Sequence, residues 1–161
     1  MKRLLLSVWF SIILLNVSSA QTIPSYSADR LMARVSGNDT TYIINFWASW
    51  CGPCVAELPQ FSTLQHYYSN QKVKVILVSF DFPDSYPDKL NAYVKKKGLQ
   101  PEVVWFNESN ANEFIPKIDN NWSGALPGTL IINKRNHYKE FLERPVTAAE
   151  IEVMVASIKK K

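Results

Sequence analysis

Cys51 and Cys54 are the only cysteines among the 161 residues of the chain. They lie three apart in the stretch Asn-Phe-Trp-Ala-Ser-Trp-Cys-Gly-Pro-Cys-Val-Ala-Glu-Leu-Pro-Gln-Phe, residues 45–61. Three chemistries are open to such a pair: thiol–disulfide exchange, metal ligation and a structural staple. Exchange needs an exposed thiolate that attacks a foreign disulfide and a neighbour that resolves the mixed disulfide. At a helix N-terminus Cys51 would meet unpaired N–H groups and the positive end of the dipole. That setting lowers a thiol pKa from about 8.5 toward 7 or below. Cys54, one turn later, is expected to be more buried and to keep its proton. Gly52 and Pro53 make the short turn and set the helix start, and Pro53 brings no N–H of its own. A zinc site needs three or four ligands. Only His66 and His137 could add to the pair, there is no second CxxC, and both histidines read as surface residues. A staple closing two intervening residues constrains the unfolded chain little. Exchange is therefore the leading chemistry, with no metal expected.

The elements around the pair follow from periodicity. Residues 41–48 are almost wholly apolar and β-prone, which suits a strand buried on both faces. A helix is expected from Cys51 to about Tyr68, kinked at Pro59. Ala28, Leu31, Met32 and Val35 mark an earlier amphipathic helix stopped at Gly37. Val73–Phe80 reads as a second buried strand. Pro87–Lys97 reads as a helix ended by Gly98, Val103–Phe106 as a short strand and Asn110–Lys117 as a short helix. Gly128–Asn133 and His137–Leu142 read as an antiparallel hairpin. Thr147 and Glu150 fit a capping box that opens a last helix, with Ile151, Met154, Val155 and Ile158 on one face. Strands alternating with helices give an α/β fold, and the terminal hairpin makes the central sheet mixed.

The composition is that of a globular domain, 47% hydrophobic and 20% charged. The formal charge of +4 includes Lys2 and Arg3. Setting those two aside leaves 16 basic residues against 14 acidic, with no basic stripe to indicate nucleic acid. Lys2 and Arg3 precede an uncharged apolar run, Leu4 to Leu15, and Ser18-Ser19-Ala20 offers small residues at a cleavage site. Residues 1–20 thus read as a secretory signal peptide cut after Ala20, and residues 21–161 as one domain. The alternative is an uncleaved anchor, but the apolar run is shorter than the roughly 20 residues that span a bilayer. An exported setting lets a disulfide persist.

Trp47-Ala48-Ser49-Trp50-Cys51-Gly52-Pro53-Cys54 resembles the active-site signature of the thioredoxin superfamily. The following Val55-Ala56-Glu57-Leu58-Pro59, with the export signal, resembles its exported TlpA/ResA-like branch. Pro127, 73 residues after Cys54, lies in Gly124-Ala125-Leu126-Pro127-Gly128-Thr129, which is similar to the family's cis-proline loop. The resemblance implies a thioredoxin-like fold with an extra βα unit around residues 98–120. It implies a cis Leu126–Pro127 bond beside the cysteines, with Leu126 offering its backbone to an extended substrate. It also implies an extracytoplasmic, periplasmic oxidoreductase with no cofactor beyond the cysteine pair. Cys51 would be the nucleophile and Cys54 the resolving thiol. Trp50, Gly52, Pro53, Leu126 and Pro127 would form the substrate face. Exported thiol proteins such as apocytochrome c would be substrates, a membrane partner would supply electrons, and the protein would act as a monomer. Where cytosolic thioredoxins carry a buried acid, this chain has Asn45, which cannot titrate. Glu57 would then accept the Cys54 proton if burial raises its pKa; a solvated first-turn glutamate is the alternative. Trp47 is assigned to the core, and Trp105 and Trp122 carry no role. The rivals are a peroxiredoxin-type peroxidase, which wants Thr or Ser where Ala48 stands, a thiol oxidant or isomerase, and a binding module with an inert disulfide.

Overall fold

The structure, a computed structural model, describes residues 22–36 and 39–158. The signal-peptide reading of residues 1–20 and the helix stop at Gly37 lie outside those residues. Among the described residues, six strands and five α-helices follow in the order β1 (Ser25–Tyr26), α1 (Ala28–Arg34), β2 (Thr41–Trp47), α2 (Gly52–Tyr67), β3 (Val73–Ser79), α3 (Asp88–Lys97), β4 (Glu102–Phe106), α4 (Ala111–Ile118), β5 (Gly128–Asn133), β6 (Tyr138–Leu142) and α5 (Ala148–Ile158). They form one sheet in the order β1-β4-β3-β2-β5-β6. The first four strands of that row pair in parallel, while β5 and β6 run antiparallel. Among the described residues, no helix is long and apolar enough to cross a membrane.

Strand β2 lies near the middle of the sheet, and all seven of its residues are buried. Its side chains alternate between two cores. Ile43 and Trp47 join Leu58 and Phe61 of α2, Leu90 of α3 and Ile151 and Val155 of α5. Tyr42, Ile44 and Phe46 join Leu31 of α1 and Phe114 and Ile118 of α4 on the other face. A sheet with both faces covered needs strands that are apolar at successive positions, and β2 and β3 have them. Asn45 shares the α2 face with Ile43 and Trp47, so its polar side chain is turned inward toward the helix that carries the cysteines.

The expected helices and strands are present within a residue or two, and the extra βα unit is β4 with α4. Three features depart from the sequence reading. Strand β1 is only two residues long and has no periodicity to reveal it; backbone bonds from Trp105 to Pro24 and from Asn107 to Tyr26 fix it to β4. Tyr86–Pro87 is a second cis bond, and Pro87 is the N-cap of α3 rather than part of its first turn. The capping box is half made. Thr147 Oγ1 accepts the Glu150 N–H, but the Glu150 carboxylate turns away to pair with Arg144. The start of α5 is instead docked on α2, where Gln60 Oε1 accepts the Ala148 N–H at 2.8 Å.

Candidate active site

The chain leaves β2 at Trp47, at the end of the sheet where parallel strands deliver their C-termini, and turns sharply. Phe80 donates its N–H to the Trp47 carbonyl at 2.7 Å, and Cys51 donates to that of Ala48 at 3.1 Å. Beneath the turn lies a carboxylate that sequence reasoning did not single out. Asp81 is buried and accepts hydrogen bonds from the Ser49 N–H and hydroxyl and from the Ser79 hydroxyl at 2.7 Å. Its backbone carbonyl accepts the Trp105 indole N–H at 2.8 Å. This network pins Ser49, two residues before Cys51, to the end of β3. The separation of 32 residues between Ser49 and Asp81 is why no local pattern marks it.

Cys51 is the N-cap residue of α2, with extended backbone. Its sulfur accepts the Cys54 N–H at 3.3 Å and is bonded to the Cys54 sulfur, with the Cα atoms 5.3 Å apart. Cys51 retains 7% exposure and Cys54 none. In the reduced state the bond from the Cys54 N–H would meet a thiolate and become charge-assisted, with the dipole adding to it. The asymmetry expected of an exchange pair is therefore in place. Pro53 lies in the first turn of α2, and both Gly52 and Pro53 are exposed. A Cβ built on Gly52 would meet nothing within 4 Å. The fold does not demand glycine there.

Glu57 is buried, with 4% exposure. Its Oε1 accepts from Asn45 Nδ2 at 2.7 Å, and its Oε2 accepts from the Val146 N–H at 2.8 Å. Burial pushes the Glu57 carboxyl above the usual carboxylate range, against the opposing pull of the bonds from Val146 and Asn45. The solvated alternative is thus excluded by the structure. Asn45 Nδ2 also lies 3.2 Å from Thr129 Oγ1, while Asn45 Oδ1 is buried without a partner.

The second half of the site is the loop before β5. Leu126–Pro127 is cis. Residue 125 is held from both sides: the Trp122 indole donates to the Ala125 carbonyl at 2.9 Å, and Glu143 accepts the Ala125 N–H at 3.0 Å. Glu143 also accepts from the Ser123 N–H and hydroxyl. Burial alone would raise the Glu143 carboxyl, but the bonds from Ser123 and Ala125 outweigh it and hold it below its ordinary range. Trp122, given no role from sequence, is thus a support of the loop. Gly124 has φ +95, a backbone conformation that favours glycine, and a Cβ there would come 3.2 Å from Ile115 Cδ1 of α4. The remaining expected residues are placed plainly. Trp47 is fully buried, Trp50 is 55% exposed, Leu126 is half-buried and Pro127 buried. His66 and His137 are both exposed. Among the described residues, no group of three or more His, Cys, Asp or Glu side chains could hold a metal ion.

This sheet, with its N-capping cysteine and facing cis-proline loop, can be set beside known proteins. The AhpC/TSA family model matches residues 26–140. The chain belongs to the AhpC/TSA family. Among family relatives, the thiol-disulfide oxidoreductase ResA of Geobacillus kaustophilus is 29% identical over 117 residues, 72% of this chain and 62% of that protein. The ResA of Geobacillus thermodenitrificans is 27% identical over 152 residues, 88% of this chain and 80% of that protein. The chain therefore spans less than two thirds of the length of the first of these relatives. The thioredoxin-related protein of Neisseria meningitidis serogroup B superposes with a TM-score of 0.66 at 22% identity, over 78% of this chain and 90% of that one. The thioredoxin-like, TlpA/ResA-like resemblance read from residues 47–59 and 124–132 thus agrees with both the relatives and the fold.

Proposed function

We propose that this protein is an extracytoplasmic thiol–disulfide oxidoreductase that reduces disulfides of exported proteins. The observation that carries the reading is the Cys51 sulfur at the N-cap of α2, accepting the Cys54 N–H and bonded to a fully buried Cys54. In the reduced protein the Cys51 thiolate attacks one sulfur of a substrate disulfide. That bond breaks, a mixed disulfide forms and the other substrate sulfur leaves as a thiolate that takes a proton from water. Cys54 then loses its proton to Glu57, one turn along α2, and attacks the Cys51 sulfur. The mixed disulfide breaks, the second substrate thiol is released, and the Cys51–Cys54 bond is restored. Two electrons pass from the dithiol to the substrate, and the pair itself is the whole redox group. The proton held by Glu57 returns to solvent or to the departing substrate thiolate. A membrane-borne dithiol donor then reduces Cys51–Cys54 by the same exchange for the next turnover.

The Gly52-Pro53 dipeptide resembles that of reducing thioredoxin-like proteins, for which about −270 mV is the reference. Segment 1–20, read as an export signal, supports a reaction outside the cytoplasm, where disulfides of substrates such as apocytochrome c would be met. The test is reduction of a protein disulfide by the dithiol form. Wild type should turn over. Cys51→Ser should abolish turnover, and Cys54→Ser should accumulate a mixed disulfide through Cys51. Retained activity in Cys51→Ser would overturn the reading. A peroxide-consumption assay in parallel separates the peroxidase alternative, which Ala48 disfavours.

A further inference from the structure

A pocket of about 310 Å³ opens beyond the carboxyl ends of the adjacent parallel strands β3 and β4, where open α/β sheets commonly take ligands. No residue of the cis-proline loop borders it. Its walls carry the rings of Phe80, Phe82, Trp105, Phe106 and Phe114. Phe80 and Phe106 stack with ring centres 4.6 Å apart. Trp105, to which the sequence assigns no role, is held in one orientation. Tyr86 stacks on it at 4.2 Å, and its indole N–H is fixed on the Asp81 carbonyl. Phe82 is 63% exposed.

The same lining carries two carboxylates, Asp81 and Glu108, and no cationic side chain. Asp81 is buried, with its oxygens taken by Ser49 and Ser79. It contributes negative charge from beneath the rings rather than a contact. Half-buried Glu108 spends Oε1 on the Ala28 N–H at 2.8 Å, while its Oε2 has no hydrogen-bond partner among the described residues. Lys117, close enough to feel the Glu108 charge, has its own Nζ on Asp29 at 2.8 Å.

We propose that this pocket binds an arginine side chain of the polypeptide substrate, with the guanidinium against the Phe82 and Trp105 rings and on Oε2 of Glu108. The inference rests on the oxidoreductase reading above and names a feature of its substrate. Charge decides the occupant. An apolar side chain would strip water from the Glu108 carboxylate and give nothing in return, and an anion would be repelled. A cation gains from the ring faces and from the carboxylate together. A guanidinium fits better than an ammonium, because its plane both stacks on aromatic rings and presents a fork of donors to a carboxylate. The volume, near the lower end of ligand pockets at roughly 300 Å³, suits one long side chain. Reach follows from Trp50, the neighbour of Cys51, which stacks on Phe82 at 5.6 Å. A chain bonded to the Cys51 sulfur therefore has only that aromatic pair to cross.

The test uses prereduced protein and peptides joined through a single cysteine to an aromatic thiol. The Cys51 thiolate bonds to the peptide sulfur, the S–S bond breaks, and the aromatic thiolate leaves with the electron pair and is followed by its absorbance. One Arg is walked through the positions on either side of the cysteine, each peptide matched by one with neutral citrulline in its place. At the best position Arg should react about tenfold faster than citrulline, the scale of a cation–π contact reinforced by a carboxylate. Glu108→Gln keeps an acceptor for the Ala28 N–H and should cut the ratio to about twofold, as for an exposed cation–π contact alone. Phe82→Leu, at an exposed ring, should reduce the ratio by roughly half. Glu140→Gln, at an exposed site on β6 at the other edge of the sheet, should leave it unchanged. Equal Arg and citrulline rates at every position, a ratio undiminished in Glu108→Gln or Phe82→Leu, or an equal loss in Glu140→Gln would overturn the arginine site and leave the oxidoreductase reading standing. Failure to react with any peptide would overturn the oxidoreductase reading, and the arginine site with it.

Discussion

Replacing Glu57 by Gln tests the part of the mechanism that is buried. The wild-type carboxylate receives two donors, Asn45 Nδ2 at 2.7 Å and the Val146 N–H at 2.8 Å, in a setting with 4% exposure. Gln is of similar size but can accept at only one end. If the Val146 bond is kept, its Nε2 faces Asn45. A donor left facing a donor costs about 1–3 kcal/mol. Asn45 Oδ1, buried without a partner, can become the acceptor if the amide turns, which removes most of that cost. Against it stands the wild-type penalty. Burial holds the folded-state pKa of Glu57 above its ordinary value. The sign follows: wild-type stability from this group is fully present below the unfolded pKa and is lost as pH rises through the folded pKa. Each pKa unit of difference is about 1.4 kcal/mol. Gln does not titrate, so Glu57→Gln should gain stability relative to wild type as pH rises through that window, measured by denaturant unfolding of the oxidised proteins. Function should move the other way. Loss of a positioned base costs about 10²–10⁴ in a proton-transfer step, and the lower end is expected here because solvent can substitute during the mixed-disulfide lifetime. Rapid acid quench and chromatography of the mixed disulfide give the resolution rate directly. In wild type that rate should rise with ionisation of a group titrating above the usual glutamate range, and this inflection should vanish in the variant. A resolution rate within twofold of wild type, with its pH dependence unchanged, would refute the role of Glu57.

Three further substitutions test the supports of the site. Gly124→Ala forces a side chain into φ +95 and to within 3.2 Å of Ile115 Cδ1; it should cost about 1–3 kcal/mol of stability and raise KM for peptide disulfides. Asp81→Ala leaves the buried Ser79 hydroxyl and the Ser49 N–H without their acceptor, a loss of about 1–3 kcal/mol for each stranded group. Calorimetry would measure that loss, and alkylation kinetics should show a shifted Cys51 thiol pKa as the turn loosens. Ile151→Ala in α5, at a fully buried position, should destabilise by about 2–5 kcal/mol while leaving the redox potential of the pair unchanged.

How much of this could be read from the chain differs by physical range. The cysteine pair, the buried strand before it and the helix after it are local patterns, and their burial is uniform enough to show in composition. Periodicity gave each regular element longer than a few residues. Leu126–Pro127 could be placed beside the cysteines only through family resemblance, because cis bonds leave no mark on neighbouring residue types. Tyr86–Pro87, with no such resemblance, went unseen. Strand β1 is too short to have a period. Glu57 was legible because its spacing from Cys54 is helical, but its partners Asn45 and Val146 lie 12 and 89 residues away. Asp81, Trp122 and Glu143 share that character: they act through long-range or loop contacts, which neither hydrophobic pattern nor motif records. The half-made capping box shows the converse. A correct local signal at Thr147 and Glu150 lost one of its two bonds to a nearby cation, Arg144.

Under the proposed function, Cys51 and Cys54 are a working dithiol that reduces its substrates. This is tested most directly by the redox potential of the pair, obtained by equilibration in dithiothreitol or glutathione buffers and trapping of the free thiols. A value near or below about −270 mV, reached reversibly in the folded protein, is the predicted result. A value near about −120 mV, that of a strong oxidant, or a pair that is reduced only on unfolding, would contradict it.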